Sequence, residues 1–124
     1  MISPYSITKY TSEKYLYFYN KTYGMKFTVL RYANVFGPRQ IPDGECGIIP
    51  IFMSNLDNNI PTKLFAYEDM PRGNTRDYVY VGDVSKVNIL ALESGDNEVV
   101  NIGTGKELFI EDIYYEVEKI YGVK

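Results

Sequence analysis

A tyrosine followed four residues later by a lysine occurs four times in this chain, as Tyr5–Lys9, Tyr10–Lys14, Tyr17–Lys21 and Tyr115–Lys119. On a helix, positions i and i+4 share a face, so each pair brings a phenol within reach of an ammonium. A nearby positive charge favours the phenolate, which is a usable base for a substrate hydroxyl. The context of the four pairs differs. Tyr5 and Lys9 fall in the first turns of their helix, at an end that a loop-bound ligand can reach, with small neighbours at Thr8 and Ser12. Tyr10, Lys14, Tyr17 and Lys21 lie in the helix body among bulky side chains. Tyr115 and Lys119 stand beside Glu116 and Glu118 and read as solvated surface. Tyr5–Lys9 is therefore the candidate catalytic pair, and the other three read as packing and surface.

Other chemistries are closed to the chain. It has no histidine and one cysteine, Cys46. That excludes serine–histidine and cysteine–histidine catalysis within the chain and argues against a zinc site. A lone cysteine makes no internal disulfide, which fits a reducing cytoplasm. The net charge of −3 gives no basic excess for nucleic acid or an anionic membrane. No apolar run approaches the roughly 20 residues needed to span a bilayer, and the opening residues do not read as a secretory leader. With 124 residues, 45% hydrophobic and 23% charged, the chain is long enough for one modest core.

The elements that must carry these residues follow from punctuation and periodicity. Ser3 reads as a helix cap with Pro4 in the first turn, and the helix runs to about residue 22 with Gly24 as its stop. Residues 27–30 read as a buried strand and 33–44 as a loop. A second helix spans about 48–56, with Pro50 in its first turn. Residues 62–67 read as a strand, 68–74 as a polar turn and 76–81 as another strand. Asp83 is expected to cap a helix to about residue 94, with Val84, Val87 and Ala91 on its inner face. A short strand at 99–102, a loop at 103–106 and a last helix at about 110–121 complete the chain. Strands alternating with helices predict an α/β fold with a partly parallel sheet.

Four segments carry a family resemblance. Pro4-Tyr5-Ser6-Ile7-Thr8-Lys9 resembles the catalytic helix of the extended short-chain dehydrogenase/reductase family. The run from Leu30 to Gln40 is similar to the strand and loop that follow that helix in its nucleotide-sugar epimerases. The run from Thr75 to Val84 is similar to a substrate-domain strand leading into a helix, and Asn101-Ile102-Gly103-Thr104-Gly105 fits the same order. Arg39-Gln40 and residues 44–50 bring it nearest to the branch that interconverts UDP-glucose and UDP-galactose at C4.

The resemblance implies roles. Tyr5 is the base for the sugar C4 hydroxyl while hydride passes to NAD, and Lys9 holds the cofactor ribose and favours the Tyr5 phenolate. Tyr32 and Val35 border the nicotinamide. Asn34 binds the diphosphate region, Gly47 and Ile48 offer backbone to the substrate, and Phe65 lies near the uracil. Arg76 neutralises a diphosphate oxygen, and Tyr78 lies near the nucleotide ribose. It also implies a homodimer through the first helix, whose Tyr15, Phe18 and Tyr19 form an aromatic stripe. Plainer readings stand beside these. Arg76–Asp77 reads equally as a structural ion pair, and Asn34 as a bond to loop backbone. Arg31 reads as structural, Cys46 as packing or an idle loop residue, and Gly103-Thr104-Gly105 as a tight turn, since the third glycine of a dinucleotide fingerprint is replaced by Leu108.

The family's glycine-rich first turn, its acidic residue after the second strand and its Ser/Thr before the tyrosine have no counterpart here. The resemblance thus implies the later half of a Rossmann-type doubly wound sheet plus part of the small substrate-binding domain. About 1–37 and 82–94 belong to the first, and about 38–81 and 95–124 mainly to the second. The expectation is an internal segment of an NAD-dependent nucleotide-sugar epimerase, without the NAD-binding half, that by itself binds NAD poorly and does not turn over. A nucleotide-sugar 4,6-dehydratase segment and a non-catalytic sugar-nucleotide-binding module are the alternatives.

Overall fold

A computed structural model describes residues 3–43 and 47–122; Cys46 and its two predecessors lie outside them. The order of elements is α1 (Pro4–Tyr23), β1 (Thr28–Tyr32), β2 (Asn34–Phe36), α2 (Ile48–Asp57), β3 (Thr75–Arg76), β4 (Tyr78–Tyr80), α3 (Val81–Ala91), β5 (Glu98–Ile102), β6 (Leu108–Phe109) and α4 (Ile110–Tyr121). Three two-stranded sheets form: β1 with β5, β2 with β4, and β3 with β6. The β2–β4 pair is parallel and the β3–β6 pair antiparallel. The fold is α/β with parallel pairing and flanking helices, as expected. No helix among the described residues is long and apolar enough to cross a membrane.

The chain divides into two compact units. The first comprises residues 1–31 and 86–101, the second 32–85 and 102–124. In the first unit, α1 begins at a reciprocal cap. Ser6 N donates to Ser3 Oγ at 3.2 Å, and Ser3 N donates to Ser6 Oγ at 3.1 Å. Pro4 follows at the first helical position. Gly24 closes the helix at φ +69°, a left-handed conformation that glycine adopts without penalty. Within the helix, Thr8 and Ser12 turn their hydroxyls back onto the carbonyls of Tyr5 and Thr8, at 2.8 and 2.9 Å. No residue of α1 is buried. Its ties are peripheral: Tyr17 meets the ring of Phe27 edge-on at 5.0 Å, and Glu13 receives a two-pronged bond from Arg31 at 2.8 and 2.6 Å. That pair gives Arg31 the structural role expected of it. The turn before β5 is fastened by Thr28 Oγ1 on the Gly95 carbonyl and by Asn97 N on the Phe27 carbonyl.

In the second unit, α2 packs on α4, with the rings of Phe52 and Tyr114 perpendicular at 5.3 Å. Pro50, Phe52, Val79, Val84 and Val117 are its buried apolar residues among those described. Arg72 lies over the Phe109 ring at 4.3 Å and pairs with Glu111 and Asp112 in the first turn of α4. Carboxylates at a helix start suit its dipole, and Arg72 ties that start to the turn before β3.

Several expectations change. Residues 33–36 are not all loop, because Asn34–Phe36 find a parallel partner in Tyr78–Tyr80. Residues 62–67 form no strand. The run has the right composition but no partner ladder, only an isolated bridge from Tyr67 to Met70, and Phe65 stands 88% exposed. The strand expected at 76–81 is two short strands that part at Asp77 and pair in opposite senses. Asp83 does not cap α3; it lies inside the first turn of a helix that starts at Val81. The helix also ends at Ala91, short of residue 94. Strand β6 adds to the expected elements; its two residues carry no periodicity. On α3, Val84, Val87 and Ala91 do form the less exposed face.

Because α1 has no buried face, its start depends on local bonds. Ser3→Ala is expected to remove about 1 kcal/mol of cap stabilisation. Amide exchange over residues 5–7 should then speed up about fivefold with the global melting temperature unchanged; a large fall in melting temperature would contradict this.

Candidate functional site

The second unit contains a cavity of about 390 Å³ that gathers most of the expected substrate residues. Asn34 and Val35 reach it from β2, Gly47 and Ile48 from the start of α2, Arg76 from β3 and Tyr78 from β4. Phe36, Gln40, Ile49 and Ile110 complete most of the lining. Gln40, from the Arg39-Gln40 segment, carries no expected role and lines the cavity all the same. Its amide nitrogen would be 2.9 Å from a Cβ at Gly47, so the bare backbone there leaves it room.

Among the described residues, Arg76 is the one charged side chain in this lining. Its guanidinium donates to the Thr75 carbonyl at 2.8 Å, which holds it against its own strand. The second positive feature is the N-terminal turn of α2, whose Gly47, Ile48 and Ile49 border the space. That turn has no side-chain cap bond and no acidic residue. The partial positive charge of a helix start therefore adds to the guanidinium, a combination suited to phosphate oxygens. Burial pushes the Tyr78 phenol up, and the Arg76 guanidinium pulls part of that shift back. Tyr78 is thus a neutral hydroxyl at neutral pH, able both to donate and to accept.

Asn34 lines the cavity, and it makes the backbone bond expected of it: its Nδ2 donates to the Asp77 carbonyl at 3.3 Å, beside its own backbone N–H at 2.9 Å. The Asp77 carboxylate turns to the loop after β5. Thr104 N, Thr104 Oγ1 and Gly105 N donate to it at 3.0, 2.7 and 2.9 Å. These bonds hold the Asp77 carboxyl below its usual value, the Thr104 hydroxyl contributing most. They also engage the loop N–H groups that a phosphate nest would need, so residues 103–105 serve as the turn expected of them.

Phe65 does not line the cavity. Tyr32 is 45% exposed and also lies outside the lining. Tyr5 and Lys9 belong to the first unit. The Lys9 ammonium lies 5.3 Å from the centre of the Tyr5 ring, and Tyr5 is 70% exposed, open to a ligand. Of the other pairs, Lys14 lies between the rings of Tyr10 and Tyr17, at 4.6 and 5.7 Å. Lys119 turns to Glu116 at 3.8 Å.

Residues 1–103 match the NAD dependent epimerase/dehydratase family. The chain belongs to that family. It is 46% identical over 114 residues to a putative UDP-glucose 4-epimerase of Methanocaldococcus jannaschii, a match that covers 91% of this chain and 35% of the relative. The crystal structure of UDP-glucose 4-epimerase with UDP-glucose from Thermotoga maritima superposes with a TM-score of 0.92 at 46% identity, over 99% of this chain and 38% of that one. The UDP-glucose 4-epimerase of Thermus thermophilus, solved with NAD, gives 0.88 at 39% identity, over 98% and 39% of the two chains. The chain therefore spans little more than a third of the family members it matches.

The Asp77 bonds set a pH dependence. A carboxyl held below its usual value contributes stability that is fully present above the unfolded value, near 3.8, and is lost as pH falls through the lower folded value. Acid titration of the second unit should therefore show a loss of stability below about pH 4 that is absent from Asp77→Asn. Identical acid profiles for the two proteins would contradict it.

Proposed function

We propose that this chain is the proton-transfer and substrate-wall segment of an NAD-dependent UDP-sugar 4-epimerase, acting on UDP-glucose and UDP-galactose. One observation carries the reading. Six residues from four separate elements, Asn34, Val35, Gly47, Ile48, Arg76 and Tyr78, meet at one cavity with a single guanidinium and a helix start. A diphosphate flanked by a sugar and a nucleoside needs localised positive charge and neutral polar and apolar walls, and this lining provides both kinds. In this reading Phe65 lies against the uracil, where its exposed ring is free to stack.

Tyr5 takes the proton of the sugar C4 hydroxyl as C4 gives up hydride, and returns it to the C4 oxygen as hydride is restored to the opposite face of C4. Lys9 stays beside it, favouring the phenolate and holding the cofactor ribose. Tyr32 and Val35 border the nicotinamide. One observation supports such a cofactor here: the Tyr5–Lys9 pair stands together and exposed at the start of α1. When bound, NAD supplies a hydride acceptor that is also the hydride donor for the return. Residues 1–37 and 82–94 are assigned to the Rossmann part, 38–81 and 95–124 mainly to the substrate part. Pairing of two copies through the exposed Tyr15, Phe18 and Tyr19 of α1, and a cytoplasmic setting, complete the proposal.

Calorimetry of the chain with UDP-glucose tests the cavity. Arg76→Ala should weaken binding about tenfold, the loss of one charge-assisted contact. Binding no better than that of glucose, or unaffected by the substitution, would sink the reading. The chemistry is tested in a chimaera that carries this chain in place of the matching stretch of the Thermotoga maritima enzyme. Tyr5→Phe should lower its turnover by roughly 10²–10⁴ with little change in UDP-glucose affinity. Undiminished turnover would put the base elsewhere.

A further inference from the structure

The segment from Thr75 to Tyr80 uses its side chains in two directions. Arg76 and Tyr78 line the cavity, and the residue between them turns the other way, as alternation along extended backbone requires. That residue is Asp77, whose carboxylate collects the three donors of Thr104 and Gly105. The fit against this loop is close. A Cβ at Gly103 would overlap Asp77 Oδ2 and press on the Ala33 methyl at 3.2 Å. On the backbone side, the Asp77 carbonyl accepts both donors of Asn34. Asp77 is also the point at which the segment leaves β6 and takes up β2 as its partner. Neither ladder is long enough to fix its path alone, since β3 has two residues and β4 three.

We propose that Asp77 is a positioning residue for nucleotide-sugar recognition: clamped to the 103–105 loop, it sets the direction in which Asn34, Arg76 and Tyr78 face the cavity. This rests on reading the cavity as a UDP-sugar site. The link to Arg76 is direct, because the guanidinium is bonded to the Thr75 carbonyl and so follows the path of the strand. A carboxylate is required for a simple reason. All its partners are donors, and a carboxylate is acceptor only, whereas an asparagine of the same shape would turn an NH₂ onto an N–H or O–H. Asp77→Asn therefore breaks the clamp without opening a cavity. Thr104→Val removes only the hydroxyl, and Thr104→Ser retains it.

The test uses the isotopically labelled 124-residue chain, with two readouts: the side-chain NMR signals of Asn34 and Arg76, and UDP-glucose affinity by calorimetry well below the melting temperature. Asp77→Asn should move or broaden both sets of signals and weaken UDP-glucose about tenfold, and Thr104→Val about threefold. Thr104→Ser should restore both readouts. Ser3→Ala, which weakens the start of α1 instead, should leave both unchanged. A folded Asp77→Asn with unaltered signals and affinity overturns the proposal, as does affinity that merely tracks melting temperature across the four variants. If Asp77→Asn does not fold, the Thr104→Val and Thr104→Ser pair decides by the same two readouts. If the parent chain does not bind UDP-glucose, the reading of the cavity fails, and recognition by this cavity falls with it. The side-chain signals then show separately whether Asp77 orients the three residues.

Discussion

A single change of partner organises the second unit. The backbone from Thr75 to Tyr80 starts against β6 in the antiparallel sense and ends against β2 in the parallel sense. Between the two it passes through one residue, Asp77, that belongs to neither strand. Such a switch leaves backbone donors and acceptors without ladder partners unless something local takes them up. Here the Asp77 carbonyl takes both donors of Asn34, and its carboxylate takes the turn at 104–105. The cavity is a consequence of the same switch. Two strands that share one chain path but pair with different neighbours diverge, and the residues on the diverging face, Arg76 and Tyr78, border the space that opens.

The electrostatics of that space follow from how few charges it holds. Among the described residues, one guanidinium and one helix start face a lining that is otherwise neutral. Three described carboxylates of the unit are engaged elsewhere: Glu111 and Asp112 on Arg72, Asp77 on Thr104 and Gly105. The described lining is thus locally positive although the chain is net negative. The Arg76–Asp77 dipeptide illustrates the point. Adjacent residues of opposite charge suggest an ion pair, but adjacent positions on extended backbone face opposite ways, and each side chain has found a backbone partner instead.

What the sequence made legible was whatever a short-range rule governs. The ends of α1 were readable because Ser3, Pro4 and Gly24 act through bonds within one turn. The span of α4 was readable from spacing over three turns. The segments that failed depend on distant partners. Asn34–Phe36 has no pattern of its own and is a strand only because Tyr78–Tyr80 lies beside it. Residues 62–67 have strand composition and no neighbour to pair with. The cavity residues came from resemblance, not from periodicity; what neither could provide was the partner of Asn34, or Asp77 as the holder of the loop, because both turn on bonds between segments more than 25 residues apart.

The repeated Tyr–Lys spacing shows the same limit from another side. In a chain with 13 tyrosines, an i, i+4 pair arises from composition, and spacing alone gives all four pairs equal standing. Position separates them. Lys14 is shared between two rings, and its contact with Tyr10 holds its ammonium above the ordinary lysine value. A charge so engaged stabilises the helix surface and is poorly placed to serve a ligand. Lys119 is answered by a carboxylate one turn away. The Lys9 ammonium lies beside a single phenol, on the first turns of a helix with an open approach. A proton-transfer pair needs access for the substrate and a charge that acts on one phenol only. Of the three pairs described by these contacts, Tyr5–Lys9 is the one that meets both requirements.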